Sequence, residues 1–234
     1  MTTILEKTLA DIVTENHEAA AIFEKYDLDF CCKGKRSLST ACLEKDISSD
    51  VIIKELENIS SGEQKHTPFS EMDEEQLISY ILVHHHFYVK QSMPTIVSHL
   101  EKVAAKHGER FPYMIDALQL FYEIQNDMTS HMMKEENILF PRIKAVITAI
   151  AAKEEMPQAG FIDGPVSVME MEHDAAGAIM NKIKILTNNY SAPEAACTTF
   201  RVVLDELKHF EEDLHKHVHL ENNILFPKAA SHLS

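Results

Sequence analysis

Tryptophan is missing from these 234 residues, and glycine and proline are scarce, at six and eight. A chain this poor in the residues that punctuate turns has few places for the hairpins of an all-β fold and leans towards helices. No apolar run approaches the ~20 residues of a membrane-spanning helix. The opening MTTILEKTLADIV carries acidic residues and no basic-then-apolar export signal, so the cytoplasm is the expected location. Cations are outnumbered as well: 22 Lys and Arg stand against 37 Asp and Glu, a net charge of -15. That balance argues against partnership with nucleic acid or an anionic membrane. The four cysteines form no C-x-x-C pair. Without an export signal they do not read as a disulfide framework. Cys42 and Cys197 stand alone in semi-apolar surroundings and read as buried structural thiols.

What the chain does contain is a sentence written twice. HMMKEENILFP, His131 to Pro141, returns as HVHLENNILFP, His217 to Pro227. Aligned on LFP, His131 matches His217 and Glu135 matches Glu221, so each copy holds a histidine followed four residues later by a glutamate. On a helix, four residues advance the chain by about 6 Å and leave the two side chains nearly stacked. Both pairs sit in apolar seams: Ile124, Met128, His131, Glu135, Ile138 in one, and Leu207, Phe210, Leu214, His217, Glu221, Ile224 in the other. A carboxylate in such a seam costs several kcal/mol unless it is paired or ligates a metal. That the cost recurs at equivalent places argues for ligands.

The partners of a symmetric site should recur with the same period. His86 precedes His131 by 45 residues, and His173 precedes His217 by 44. Both lie on comparable seams, Leu82, His86, Val89, Met93, Ile96, Leu100 and Met169, His173, Ala176, Met180, Ile183. The repeating unit is a helical hairpin with one histidine on its first helix and His-x-x-x-Glu on its second. In the triplet His84, His85, His86 only one residue can face the site. His86 has the best register, with His84 and His85 as alternatives. His215 and His219 flank His217 on other faces and read as surface or supporting groups. His17, His66, His99, His107, His209 and His232 have no partner in the repeat and read as solvated.

In chain order, residues 3–27 read as a helix capped by Thr8, and Ser39 to Leu56 as a second. Between them DFCCKGKRSLSTAC sets Cys31 and Cys32 among Lys33, Lys35 and Arg36. Such neighbours are expected to lower a thiol pKa and favour thiolate, against the alternative of a small packed turn. The run Ser60 to Ser70 reads as a linker. Beyond it lie four long helices, Glu71 to His107 with a kink or break expected at Pro94, then 112–151, 166–188 and 193–228, the loop KEEMPQAGFIDGP separating the middle two. The expected organisation is therefore a small helical Cys-Cys domain over 1–60, a linker over 61–70, and a four-helix bundle with a central metal site over 71–234.

Four imidazoles and two carboxylates without thiolate are too nitrogen-rich for calcium or magnesium. Six ligands are more than a structural zinc uses. They suggest two ions, each with two histidines and two bridging carboxylate oxygens. Iron or manganese fits, and iron is favoured for redox chemistry at an open, imidazole-rich site.

HMMKEENILFP, SVMEMEHDAAG and LENNILFP resemble hemerythrin-like domains, and in particular the di-iron RIC (repair of iron centres) family. DFCCKG resembles the cysteine-bearing leader domain of that family, so the resemblance covers nearly the whole chain. The loop KEEMPQAGFIDGP is longer than is usual there. The resemblance implies an all-α, hemerythrin-like four-helix bundle with a small helical N-terminal domain. Two iron ions, oxo-bridged when oxidised, would be held by His86, His131, Glu135, His173, His217 and Glu221, and Cys31 and Cys32 would be the functional pair of the leader.

The activity this implies is repair of iron–sulfur clusters after nitrosative or oxidative damage, by release of iron to proteins with damaged clusters, with Cys31 and Cys32 as a thiolate relay or reducing pair. Two other readings share the ligand set: a nitric oxide reductase forming nitrous oxide, and a hemerythrin that binds or senses dioxygen or nitric oxide. A cysteine leader argues against a simple carrier. A phosphohydrolase built on His173 and Asp174 would have no need of a duplicated His-x-x-x-Glu. The oligomeric state, a homodimer among the options, is not legible in the sequence.

Overall fold

The structure is a computed structural model that describes residues 3–60, 69–158 and 160–233. Among the described residues the regular elements are helical, as expected for the all-α class. They are α1 (Leu9–Glu15), α2 (Ala19–Lys25), α3 (Leu38–Glu44), α4 (Ser49–Ser60), α5 (Glu74–Tyr80), α6 (Phe87–His107), α7 (Tyr113–Lys134), α8 (Phe140–Ala152), α9 (Asp163–Leu186), α10 (Thr198–Leu220) and α11 (Phe226–Ser231). The chain divides into two compact units, one of Met1–Ile78 with His215–Ser234 and the other of Ser79–Leu214.

In the first unit the single helix expected over residues 3–27 is two. Thr8 caps α1 as expected, in a capping box with Asp11. Asn16 then turns extended, and its Oδ1 accepts the Glu18 N–H at 3.1 Å, an Asx turn that competes with helix continuation. The second expected helix also breaks, at Asp46, whose φ of 55° is left-handed and lets Ile47 N–H bond back to the Cys42 carbonyl at 2.9 Å. Leu9, Phe23, Phe30, Leu38 and Ile52 form the core. The Cys31 loop lies against α1, where Ala10 N–H donates to Gly34 O at 2.9 Å. A Cβ on Gly34 would stand 2.1 Å from Phe30 O and 3.0 Å from Ala10 Cβ, so only glycine fits there. The expected linker falls largely on residues 61–68, outside the described residues, and His66 with it.

The second unit is built on α6, α7, α9 and the first part of α10. Helix α7 packs on both α6 and α9. Helix α10 is tied to α7 by Phe121 and Phe210, ring centroids 5.3 Å apart, to α6 by His99 with Glu206 at 2.8 Å, and to α9 by Lys184 with Glu211 at 3.4 Å. The buried residues keep to the seams read from the sequence: Val89, Met93, Ile96 and Leu100 on α6, Ile124 and Met128 on α7, Met169, Ala176, Met180 and Ile183 on α9, Leu207, Phe210 and Leu214 on α10. Helix α6 continues through Pro94 without the expected break. The missing N–H costs one bond to Lys90 O, and packing on both sides retains the helix.

The departure from regular helix lies at the histidines. A π-helical turn runs over Ile81–His86, a second over Glu135–Leu139 and a third over Glu221–Leu225. In the last two the helix resumes at Phe-Pro, with Pro141 and Pro227 in its first turn, where an absent N–H is tolerated. A π-turn holds one extra residue and rotates the next stretch of helix about its axis. Ile138, expected in the seam, is 45% exposed and Leu139 takes its place at 1%. Helix α9 begins at Asp163, so the last residues of the expected loop are helical.

Candidate metal centre

In the second unit His86, His131, Glu135 and His173 converge, each no more than 1% exposed. Glu135 Oε2 lies 3.3 Å from His86 Nε2 and 3.3 Å from His131 Nε2. His131 Nε2 faces His173 Nε2 at 3.0 Å. Two imidazole nitrogens pointed at each other share one proton at most. Among the described residues neither oxygen of the Glu135 carboxyl has a hydrogen bond. A buried carboxyl left so, among imidazoles aimed at it, is a group that could hold a cation.

Two histidines are oriented from behind. His86 Nδ1 is 2.7 Å from Glu136 Oε1, and Lys90 Nζ is 2.6 Å from the same oxygen. His131 Nδ1 is 3.0 Å from Glu172 Oε2, with Lys134 on the other oxygen of Glu172. A carboxylate at Nδ1 keeps the proton there and leaves the Nε2 lone pair for a metal. Burial alone would raise the pKa values of Glu136 and Glu172, but hydrogen bonds from Lys90 and His86, and from Lys134 and His131, hold both below their ordinary value. Sequence reasoning missed these four residues. The available signal was adjacency: Glu136 comes directly after a ligand-type residue and Glu172 directly before one, so helix geometry turns each about 100° off the seam, towards a neighbouring helix.

The second copy, in the first unit, repeats the pair: His217 Nε2 is 3.0 Å from Glu221 Oε1, and both side chains are fully buried. At the position of Glu136 the second copy has Asn222.

Other histidines depart from expectation. His85 is buried, with Nδ1 3.0 Å from Asp213 Oδ1, while His84 is exposed and stacks with Tyr80. His219 is 2% exposed, and burial lowers its pKa to about 4. His99 and His107 are half-buried, and His107 Nε2 lies 3.2 Å from the Cys197 Sγ, so Cys197 is a half-buried, hydrogen-bonded thiol and not a buried structural one. Cys42 is buried as expected.

The thiols Cys31 and Cys32 lie 3.8 Å apart and join Asp29 in a cluster whose donor atoms all lie within 4.8 Å of one another. Asp29 Oδ1 accepts the N–H groups of Cys31, Cys32 and Lys33 at 3.2, 3.0 and 3.2 Å and the Cys31 thiol at 3.3 Å. The thiolate expectation is overturned for Cys31. Its hydrogen bond with Cys32, its burial and the Asp29 charge push the thiol well above its ordinary pKa. The cations do not counter this: Lys33 and Lys35 are exposed, and Arg36 pairs with Glu44.

The model of the hemerythrin HHE cation binding domain matches residues 77–229, and that of a domain of unknown function, DUF542, matches residues 5–60. The chain belongs to the hemerythrin HHE family. Its relatives include the iron-sulfur cluster repair protein YtfE of Escherichia coli O81 (strain ED1a), 34% identical over 228 residues and 96% of each chain. Proteins of the same description from Escherichia coli O1:K1 / APEC and Escherichia fergusonii are 33% identical over the same length and share of each chain. For this hemerythrin, buried His and Glu clusters and the family agree on a non-haem metal centre. No helix among the described residues is long and apolar enough to cross a membrane.

Proposed function

We propose that this hemerythrin holds two iron ions and returns iron to iron–sulfur proteins damaged by nitrosative or oxidative stress in the cytoplasm. The observation that carries the reading is Glu135, a fully buried carboxyl with no hydrogen bond at either oxygen. The two ions would be held by His86, His131, Glu135, His173, His217 and Glu221, the six residues that recur in the repeat. The repeated His-x-x-x-Glu supports this assignment, and the relatives' description as iron-sulfur cluster repair proteins supports the repair role. Residues 1–60 form the thiol domain, 61–70 the linker and 71–234 the iron domain, in keeping with the two matched segments.

Bound iron supplies redox chemistry and a store of transferable metal. The side chains around it do the rest. Glu136 and Glu172 keep the Nδ1 protons of His86 and His131 in place, so both rings present Nε2. The apolar seam of Met128, Met169 and Leu214 limits water. Cys31 and Cys32 are the thiols that accept or pass the ferrous ion. Cys31 is protonated at neutral pH and its thiol donates to Asp29 Oδ1 at 3.3 Å, so a ferrous ion taken up there would release a proton.

Anaerobic titration of the iron-loaded protein against an iron–sulfur enzyme whose cluster nitric oxide has destroyed tests the proposal, with iron transfer and nitrous oxide followed in parallel. Transfer of iron with recovery of the enzyme is expected. Iron content near zero after reconstitution, or nitrous oxide formed without recovery, would overturn it.

A further inference from the structure

The two copies of the repeat differ on their outer stripe. In the first copy Thr129, Met133 and Asn137 are exposed, Met133 by 60%. Thr129 Oγ1 and Asn137 Nδ2 bond back to their own helix, to Gln125 O at 2.6 Å and Met133 O at 2.7 Å. The equivalents in the second copy are His215, His219 and Asn223, and all three reach the leader. His215 Nδ1 is 2.6 Å from Glu24 Oε1. His219 lies edge-on to the Phe30 ring, centroids 5.7 Å apart, with Nε2 3.4 Å from Thr14 Oγ1. Asn223 Nδ2 donates to Cys31 O at 3.0 Å, is 3.4 Å from Phe30 O, and is 3.2 Å from His219 Nδ1. Spaced four apart, these residues share one helix face, opposite in kind to the face that carries His217 and Glu221.

We propose that the stripe His215–His219–Asn223 seats the Cys31–Cys32 loop on the turn that carries Glu221. Asn223 is the positioning residue, coupling access to the two thiols with metal occupancy at Glu221. The proposal rests on the reading of Glu221 as an iron ligand. Asn223 and Glu221 share one π-helical turn, so a metal that fixes Glu221 also fixes the amide that grips the Cys31 carbonyl. Coupling of this kind acts in both directions: metal quiets the loop, and a released loop weakens the hold on metal. Asn137 occupies the same place in the first copy, bonds back to its own helix at Met133 O and serves as the internal control.

The test is maleimide labelling of Cys31 and Cys32 in the full chain, read by peptide mass spectrometry with and without ferrous iron, for wild type, Asn223→Ala, Asn223→Gln and Asn137→Ala. Without iron, Asn223→Ala is expected to label roughly tenfold faster than wild type, the effect of losing its two shortest hydrogen bonds on local opening. Asn137→Ala should match wild type, and Asn223→Gln, which keeps the amide, should recover part of the protection. Iron retained after excess ferrous ion is removed by a competing chelator, which clears the thiols, should slow labelling of wild type by about fivefold, the low end of coupling between sites, and leave Asn223→Ala unaffected. Wild-type labelling of unloaded Asn223→Ala would overturn the seat, and equal iron dependence in wild type and Asn223→Ala would overturn the coupling. Iron content is measured on the same samples. A wild type that takes up no iron overturns the di-iron reading, while the unloaded comparison still decides the seat.

Discussion

Replacing Glu135 by methionine should move metal binding and stability in opposite directions. The carboxyl is fully buried, its oxygens have no hydrogen bonds among the described residues, and His86 and His131 each stand 3.3 Å from it. An apolar side chain in place of a poorly satisfied buried ionisable group stabilises by about 1–4 kcal/mol. The two imidazoles offset part of the cost, so the lower half, about 1–2 kcal/mol, is expected for Glu135→Met, whose flexible side chain fits the same length. For a chain of this size each kcal/mol raises Tm by about 2–4 °C, so the metal-free variant should melt roughly 2–8 °C above metal-free wild type. Iron uptake should fall to a small fraction of the wild-type value if, as proposed, Glu135 is a ligand. Circular dichroism melts of metal-free protein, paired with iron analysis after reconstitution, read both effects. A metal-free variant that melts well below wild type would refute the reasoning, since Glu135 would then be a structural partner of the histidines and not a ligand held ready.

The histidine triplet separates three roles. His86→Ala should abolish the iron spectrum, and His84→Ala should change neither spectrum nor Tm. His85→Ala should keep the spectrum but lower stability by about 1–3 kcal/mol as Asp213 loses its partner. Removing either supporting carboxylate, as Glu136→Ala or Glu172→Ala, should weaken iron binding by about 10–100-fold with both ions still present at saturating iron, measured by chelator competition. An unchanged affinity would show that His86 and His131 hold their orientation without the carboxylates. Labelling at neutral pH should modify Cys32 before Cys31, and Cys31 only as pH climbs well beyond the ordinary thiol range, because its folded pKa is raised. Denaturation should erase the difference, and equal labelling in the folded protein would contradict the packed thiol.

The buried histidines and glutamates were legible because a helix turns periodic chemistry into a face. His131, Glu135, His217 and Glu221 declared themselves by recurring in apolar seams, and His86 and His173 by recurring 45 and 44 residues before a repeated histidine. Burial of all six comes from the same 3.6-residue period that gave Leu207, Phe210 and Leu214 to the core. Identity and spacing along the chain carry that information. What the chain could not carry is the meeting of residues far apart in it. The Asn16 and Asp46 breaks depend on local bonds weak enough for packing to decide. The extra residue in each π-turn is a choice between hydrogen-bond registers of similar energy that packing decides, and packing also leaves Ile138 exposed while the equivalent Ile224 is buried. The supporting groups Glu136 and Glu172 act across helices, on His86 and His131, 50 and 41 residues away. The thiol chemistry of Cys31 was misread from its cationic neighbours for the same reason. Sequence placed Lys33, Lys35 and Arg36 beside the sulfur, but tertiary structure turned the lysines to solvent, gave Arg36 to Glu44 and buried the thiol against Asp29, and the field at an atom depends on distance through space.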